Sequence, residues 1–237
     1  AEYRRYPGLA AARLQPFVQR YTRKDISQLA TQYDLIIVGA GPAGIFTAME
    51  MLRLGSKQKI LLIEKGLPVE KRHCPKSEIG HCVNCRRGCS ITTGFSGAGA
   101  FSDGKLSLSY EVGGDLPDLI GADFAQELIN YTDKIYLEFG ADPHIEGIGN
   151  NDEIKEIRKN AIKAGLKLVD CPIRHLGTEK AQKLYYDIQV WLMEHGVDMM
   201  FSANCDNIIL DGDVCRGVIV REGDTEKEIR AGRVVIA

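Results

Sequence analysis

The stretch Leu35–Glu64, LIIVGAGPAGIFTAMEMLRLGSKQKILLIE, constrains the fold more than any other part of the chain. Leu35-Ile36-Ile37-Val38 is a continuous apolar run, as a strand buried on both faces requires. It passes directly into Gly39-Ala40-Gly41-Pro42-Ala43-Gly44. Ile45, Ala48, Met49 and Leu52 then recur at helical spacing, and Gly55 is a stop signal. Ile60-Leu61-Leu62-Ile63 reads as a second buried strand, with Glu64 at its carboxyl end. Strand, glycine turn, helix and strand in this order predict an α/β fold, a Rossmann-like FAD/NAD(P)-binding parallel sheet.

Each glycine has a distinct task in such a turn. Gly39 permits the tight bend, Gly41 lets the backbone approach a pyrophosphate, and Gly44 allows close helix–sheet packing. Pro42 suits the first helical position, where its missing N–H is not needed, and the N–H groups that follow are aimed at phosphate oxygens. Glu64 lies where a carboxylate accepts hydrogen bonds from adenosine ribose hydroxyls, with Lys65 beside it. An acid at this position disfavours NADP but does not separate NAD from FAD. The expected dinucleotide contacts are therefore Gly39, Ala40, Gly41, Pro42, Ala43, Gly44, Glu64 and Lys65.

Composition excludes several other classes. A net charge of -2 over 237 residues gives no broad field for nucleic acid or anionic lipid. No run of 18 apolar residues occurs, and the first thirty residues lack the apolar centre of a signal peptide, so a cytoplasmic location away from membranes is the expectation. The expected partner is a small-molecule substrate or a redox partner. Seven cysteines without a secretion signal argue against a disulfide framework.

The remaining chain divides by pattern. Residues 1–33 read as a peripheral arm, with a short helix near Asp25–Gln32. Residues 34–110 begin the dinucleotide-binding domain and carry a long irregular stretch, of the kind usually kept for function. Residues 111–175 read as a helical insertion, with amphipathic helices over 122–139 and 152–164. Residues 176–237 hold a helix over 179–195, ended by Gly196, and then a meander. Its expected strands are Val197–Phe201, Cys205–Leu210, Cys215–Arg221, Glu228–Arg230 and Arg233–Ala237. This adds a small antiparallel sheet to the parallel one in a three-layer fold.

Two loops in the irregular stretch carry chemistry. Cys74, Cys82, Cys85 and Cys89, with His73 and His81 alongside, form a candidate site for zinc or an iron–sulfur cluster. Their spacing matches neither a zinc ribbon nor a ferredoxin run, and free thiols or a redox-active Cys82–Cys85 dithiol fit as well. Thr92–Lys105 is a second glycine-rich loop. Its small residues allow backbone to approach a large flat ligand, and Lys105 supplies a cation. Ser102 has no His/Asp pairing that would make a hydrolase triad.

With these residues in hand, the chain resembles a family of FAD-dependent dehydrogenases related to glutathione reductase-like flavoproteins (GR2 type). The resemblance rests on Val38–Gly44, Glu64, the cysteine-rich stretch, Gly94–Leu106 and Arg174-His175-Leu176-Gly177-Thr178-Glu179. It implies FAD as cofactor, with NAD(P)H as a candidate electron donor. It also implies that Gly97, Ala98, Gly99 and Lys105 approach the flavin side. No general base stands out in the sequence, and His175 and Lys105 are the nearest candidates for catalysis; His175 and Thr178, just before the 179–195 helix, fit a place toward the substrate and a core or capping role equally. Such flavoproteins return with a further strand and a Gly-Asp motif. Val234-Val235-Ile236-Ala237 resembles only the strand before that turn, so the expectation is the N-terminal part of a longer protein. The competing readings are an NAD-binding enzyme without flavin and an electron-relay module using the cysteine cluster.

Overall fold

The computed structural model describes residues 29–85 and 88–237. Residues 1–28, with most of the expected arm and the start of its helix, lie outside the described residues, and Gln32 opens a strand instead of closing a helix. The chain forms two compact units. One comprises the described part of Ala1–Gly97 together with Gln189–Ala237, and the other is Ala98–Ile188.

The first unit is built on one six-stranded sheet. Its strands are β1 (Gln32–Val38), β2 (Ile60–Glu64), β5 (Asp198–Phe201), β6 (Asn204–Asp211), β7 (Val214–Glu222) and β8 (Thr225–Ile236), in the order β5-β2-β1-β8-β7-β6. Helix α1 (Pro42–Arg53) joins β1 to β2, and a short helix α2 (Lys76–Ile79) follows β2. β1 pairs in parallel with β2 and β8, and β2 pairs in parallel with β5. β6, β7 and β8 form the antiparallel meander.

Two of the expected strands prove to be one. Glu228–Arg230 and Arg233–Ala237 fall mostly in the single strand β8, which changes neighbours at Arg230. Up to that residue it pairs antiparallel with β7, and from there to Ile236 it pairs parallel with β1. The meander is thus continuous with the parallel sheet. Gly232 lies within this strand, where a Cβ would make a tight contact, 3.2 Å from the Asp34 carbonyl oxygen.

The sheet is buried on both faces in its centre. Ile36, Leu61, Ile63, Met200, Val218, Val220 and Ile229 form one side of the core with Tyr33. Residues of opposite parity, Leu35, Ile37 and Leu62, are also buried, as are Ile45, Ala48 and Met49 of α1. A β-strand alternates its faces, so covering both explains the unbroken apolar runs.

The second unit contains strand β3 (Lys105–Ser107), helices α3 (Leu116–Ile120), α4 (Ala122–Glu138) and α5 (Asn151–Lys163), strand β4 (Ile173–His175), and helix α6 (Thr178–Glu194) up to Ile188. The helices expected over 122–139, 152–164 and 179–195 are present within two residues at each end. The two-stranded antiparallel sheet of β3 and β4 was not foreseen, because three residues carry no readable alternation. No helix among the described residues is long and apolar enough to cross a membrane.

Candidate functional site

The glycine turn behaves differently at its three glycines. Gly39 has φ +105, and a Cβ there would lie 2.3 Å from the Ala237 carbonyl oxygen. Gly44 lies against the Gly39 carbonyl, 2.0 Å from where its own Cβ would be. Both are glycine because the chain's own backbone demands it. Gly41 is not: its φ is -73, within the range of any residue, and nothing lies within 4 Å of its Cβ position. It precedes Pro42 at the first position of α1, whose opening turn has no side-chain cap and no acid. The N–H groups of that turn have no intrahelical acceptor and face outward from the helix end.

A cleft of about 360 Å³ opens over this turn. Gly39 and Gly41 line it from below, and Glu64 and Lys65 from the end of β2. Thr92, Thr93, Gly94 and Gly97 line it from the second glycine loop. Ala203, Asn204 and Cys205 enter from the β5–β6 turn, and Ile236 and Ala237 from the end of β8. The cleft therefore sits at the carboxyl edge of the parallel strands, where ligands of open α/β sheets bind.

Hydrogen bonds tie these loops into one frame. Glu64 is buried, and its two carboxylate oxygens accept from the Ala40 N–H at 2.9 Å and the Gly66 N–H at 2.8 Å. The expected ribose acceptor is thus also the hub that fixes the glycine turn to the end of β2. A carboxylate has about four lone-pair positions, so two bonds leave capacity for ligand hydroxyls. The Ser96 N–H donates to the Ala40 carbonyl at 2.7 Å, and the Phe95 N–H to Leu67 at 3.0 Å. Ser202 N–H donates to Gly66 and Ala203 N–H to Glu64, at 2.8 and 3.2 Å. Gly66 and Gly94 meet backbone to backbone, with 2.4 Å from the Gly66 Cβ position to the Gly94 nitrogen.

Arg72, which the sequence reading passed over, is buried behind the second loop. It donates to the carbonyls of Ser90, Phe95 and Ile91 at 3.0, 2.7 and 2.7 Å. Burial pulls its guanidinium down to about 10, against the opposing influence of the Glu64 and Cys89 charges. Also missed were Ala203, Asn204 and Cys205. The available signal was that β5 is a parallel strand whose exit must fall at the same edge as Glu64. That inference needs the pairing of β5 with β2, which lies across more than a hundred residues of chain.

The cysteines do not assemble as a metal centre. Cys82, Cys85 and Cys89 have free thiols, and among the described residues no group of three or more His, Cys, Asp or Glu is arranged to hold a metal. Along the chain, helix α2, closed by Gly80 at φ +79, lies between Cys74 and the other three. His73 approaches Glu78 at 3.3 Å, and His81 contacts the Ile79 carbonyl. The described residues therefore give no support to a zinc or iron–sulfur site. Cys89 is exposed, and its thiol is held below the usual range by the backbone N–H groups of Ile91 and Thr92, with a smaller contribution from Arg72.

Of the second glycine loop, Gly97 belongs to the first unit, and Ala98, Gly99 and Lys105 to the second. Gly104 has φ +65, and a Cβ would lie 3.0 Å from those of Ala181 and Leu176, so packing within the second unit accounts for it. Lys105 and His175, proposed from sequence as catalytic, face each other directly across the β3–β4 register. Lys105 pairs with Asp103 at 2.9 Å, which keeps the ammonium above its ordinary range and the carboxyl below its own. His175 Nδ1 lies 3.6 Å from Glu146, and the Glu146 backbone bridges to Ile173 of β4. Alternation sends Arg174 to the opposite face of this ribbon. There, almost fully buried, it forks onto Asp133 and reaches the Asp142 and His144 carbonyls. Thr178 opens helix α6.

No family model matches the chain. A Clostridium beijerinckii protein described as uncharacterized is 34% identical over 127 residues, which make up 52% of this chain and 23% of that one. Among solved structures, the 3-ketosteroid-delta4-(5alpha)-dehydrogenase of Rhodococcus jostii gives a TM-score of 0.53 at 15% identity, over 89% of this chain and 46% of that chain. E. coli quinol fumarate reductase FrdA gives 0.50 at 19% identity, over 87% and 32%. The chain thus spans less than half the length of each of these relatives. At such identities the structural likeness is one of fold, and the fold is the Rossmann-like α/β sheet that the glycine turn predicted.

Proposed function

We propose that the chain carries the dinucleotide site of an FAD-dependent oxidoreductase, with the adenosine and pyrophosphate half of FAD in the cleft over Gly41. The observation that carries this reading is Gly41 itself. Neither its backbone angle nor any neighbouring atom requires glycine there, so the missing side chain is explained by something that comes to the cleft from outside the chain. Ala43 and Gly44, in the first turn of α1, would meet the pyrophosphate through their N–H groups, and Glu64 the ribose hydroxyls. Lys65 and Gly97 border the same cleft.

The choice of FAD, over a nicotinamide dinucleotide alone, is supported by the resemblance of Gly94–Leu106, and the fold shared with two enzymes that are, by name, a dehydrogenase and a reductase supports redox chemistry with either cofactor. When bound, the flavin supplies the redox chemistry, and the protein supplies position and electrostatics. For the substrate side we assign His175 and Lys105. A carboxylate near Nδ1 leaves Nε2 of His175 available to exchange a proton, and the neighbouring ammonium suits an electron-rich oxygen.

Purified protein is expected to retain FAD, seen as flavin absorbance and as FAD released on denaturation. Gly41→Val is expected to fold and to lose the flavin. Normal flavin content in that variant would refute the placement, and a colourless wild-type protein stabilised by NAD would replace FAD with a nicotinamide dinucleotide.

A further inference from the structure

Arg72 follows a short 3-10 turn, Val69–Lys71, beyond β2, and only 5% of its surface is exposed. Its Nε, Nη1 and Nη2 reach three carbonyls of a single loop, those of Ser90, Phe95 and Ile91. A guanidinium presents its donors in one rigid plane, so three carbonyls bound to it fix the loop that carries them. Gly94 completes the fit. At φ +123 its Cα lies against the arginine stem, and a Cβ would come within 2.6 Å of Arg72 Cδ.

The residues held between these carbonyls, Thr92, Thr93 and Gly94, line the cleft. Carbonyl oxygens and phosphate oxygens repel each other. Turning three carbonyls onto a buried cation removes them from the side an anion would approach. A cation is costly to bury, and its donors offset that cost by pairing three carbonyls that an apolar side chain would leave unsatisfied. The charge is explained if it does two things: it satisfies the carbonyls and it places positive potential beneath an anionic ligand.

We propose that Arg72 is the positioning residue of the cleft, holding Ser90–Phe95 in the shape that admits the pyrophosphate of an adenine dinucleotide. This rests on the dinucleotide reading above and adds a residue that no sequence motif marks.

The test pairs amide hydrogen exchange on the ligand-free protein with FAD binding, in wild type, Arg72→Met and Arg72→Lys. In Arg72→Met, exchange at the Thr92, Thr93, Phe95 and Ser96 amides is expected to speed by at least about tenfold, while β1, β2 and β8 keep their protection. The FAD dissociation constant is expected to rise by about tenfold or more. Arg72→Lys keeps the charge without the fork, so its FAD affinity is expected to fall between the two. If the methionine variant does not fold, the lysine variant carries both readings. Unchanged loop protection, or a loosened loop that binds FAD as tightly as before, overturns the proposal alone. A wild-type protein that takes up no FAD, with Gly41→Val no different, overturns the dinucleotide reading and this proposal together.

Discussion

Two buried arginines serve the two units in opposite ways. Arg174 meets a carboxylate: its fork on Asp133, at 2.8 Å for Nη2, raises the guanidinium above its ordinary range. Arg72 meets the carbonyls of one loop, and burial outweighs the nearby charges and lowers it. Arg174 ties β4 to α4 and to the 142–144 segment, thirty to forty-one positions earlier in the chain, and these make up the unit's frame. Arg72 connects residues within twenty-three positions of itself, beside a cleft. The first arrangement holds elements together, whereas the second shapes a surface.

The largest effect is therefore expected at Arg174. Arg174→Met leaves the Asp133 carboxylate, itself only 15% exposed, without its partner in a poorly solvated place. Breaking a buried pair from one side costs about 3–5 kcal/mol. Denaturant unfolding of the second unit should report a loss of that order, and Asp133→Leu in the same chain should recover part of it. A loss below about 1 kcal/mol would mean that the pair is solvated, and the contrast with Arg72 would disappear.

The next effect belongs to Gly94, the backstop of Arg72. Gly94→Ala adds a Cβ 2.6 Å from both the Leu67 carbonyl and the arginine stem, at a backbone angle alanine disfavours. A cost of about 1–3 kcal/mol follows from the strain. Because the loop can shift toward the cleft, flavin retention should suffer more than the unfolding midpoint. The opposite order would make Gly94 a residue of the frame, like Gly104 in the second unit.

The difference between these regions also decides what was legible in the sequence. Gly39–Gly44 and Glu64 were readable because their requirements are local: a positive φ, a helix start, a strand end twenty residues on. The central sheet was readable from apolar runs, and three helices from their period. Arg72 was hidden because its partners are backbone carbonyls, which carry no residue identity. The β5–β6 contribution, Ala203 to Cys205, was hidden because it depends on β5 lying beside β2. The cysteines are close in sequence, but spacing alone does not bring their side chains together, and among the described residues no group of three or more candidate ligands forms. Lys105 and His175 were picked separately, and only the β3–β4 register shows that they are neighbours.

The smallest expected effect separates charge from shape at Arg72. Cys89 is exposed, and its thiol is lowered chiefly by the Ile91 and Thr92 N–H groups, with the Arg72 charge the least of the contributions. Cys205, by contrast, is raised by burial and by Asp206. A lowered thiol holds more thiolate at neutral pH and a raised one less, so alkylation followed by mass spectrometry should label Cys89 several-fold ahead of Cys205. If Arg72 acted on Cys89 only as a charge, removing it would slow that labelling slightly. If it holds the loop, Arg72→Met frees Ile91 and Thr92 as well, the main source of the lowering is lost, and labelling slows more than the charge alone allows. Arg72→Lys then gives the discriminating comparison. It retains the charge and loses the fork, so labelling as slow as in Arg72→Met assigns the effect to the shape of the loop, and labelling as fast as in wild type assigns it to the charge.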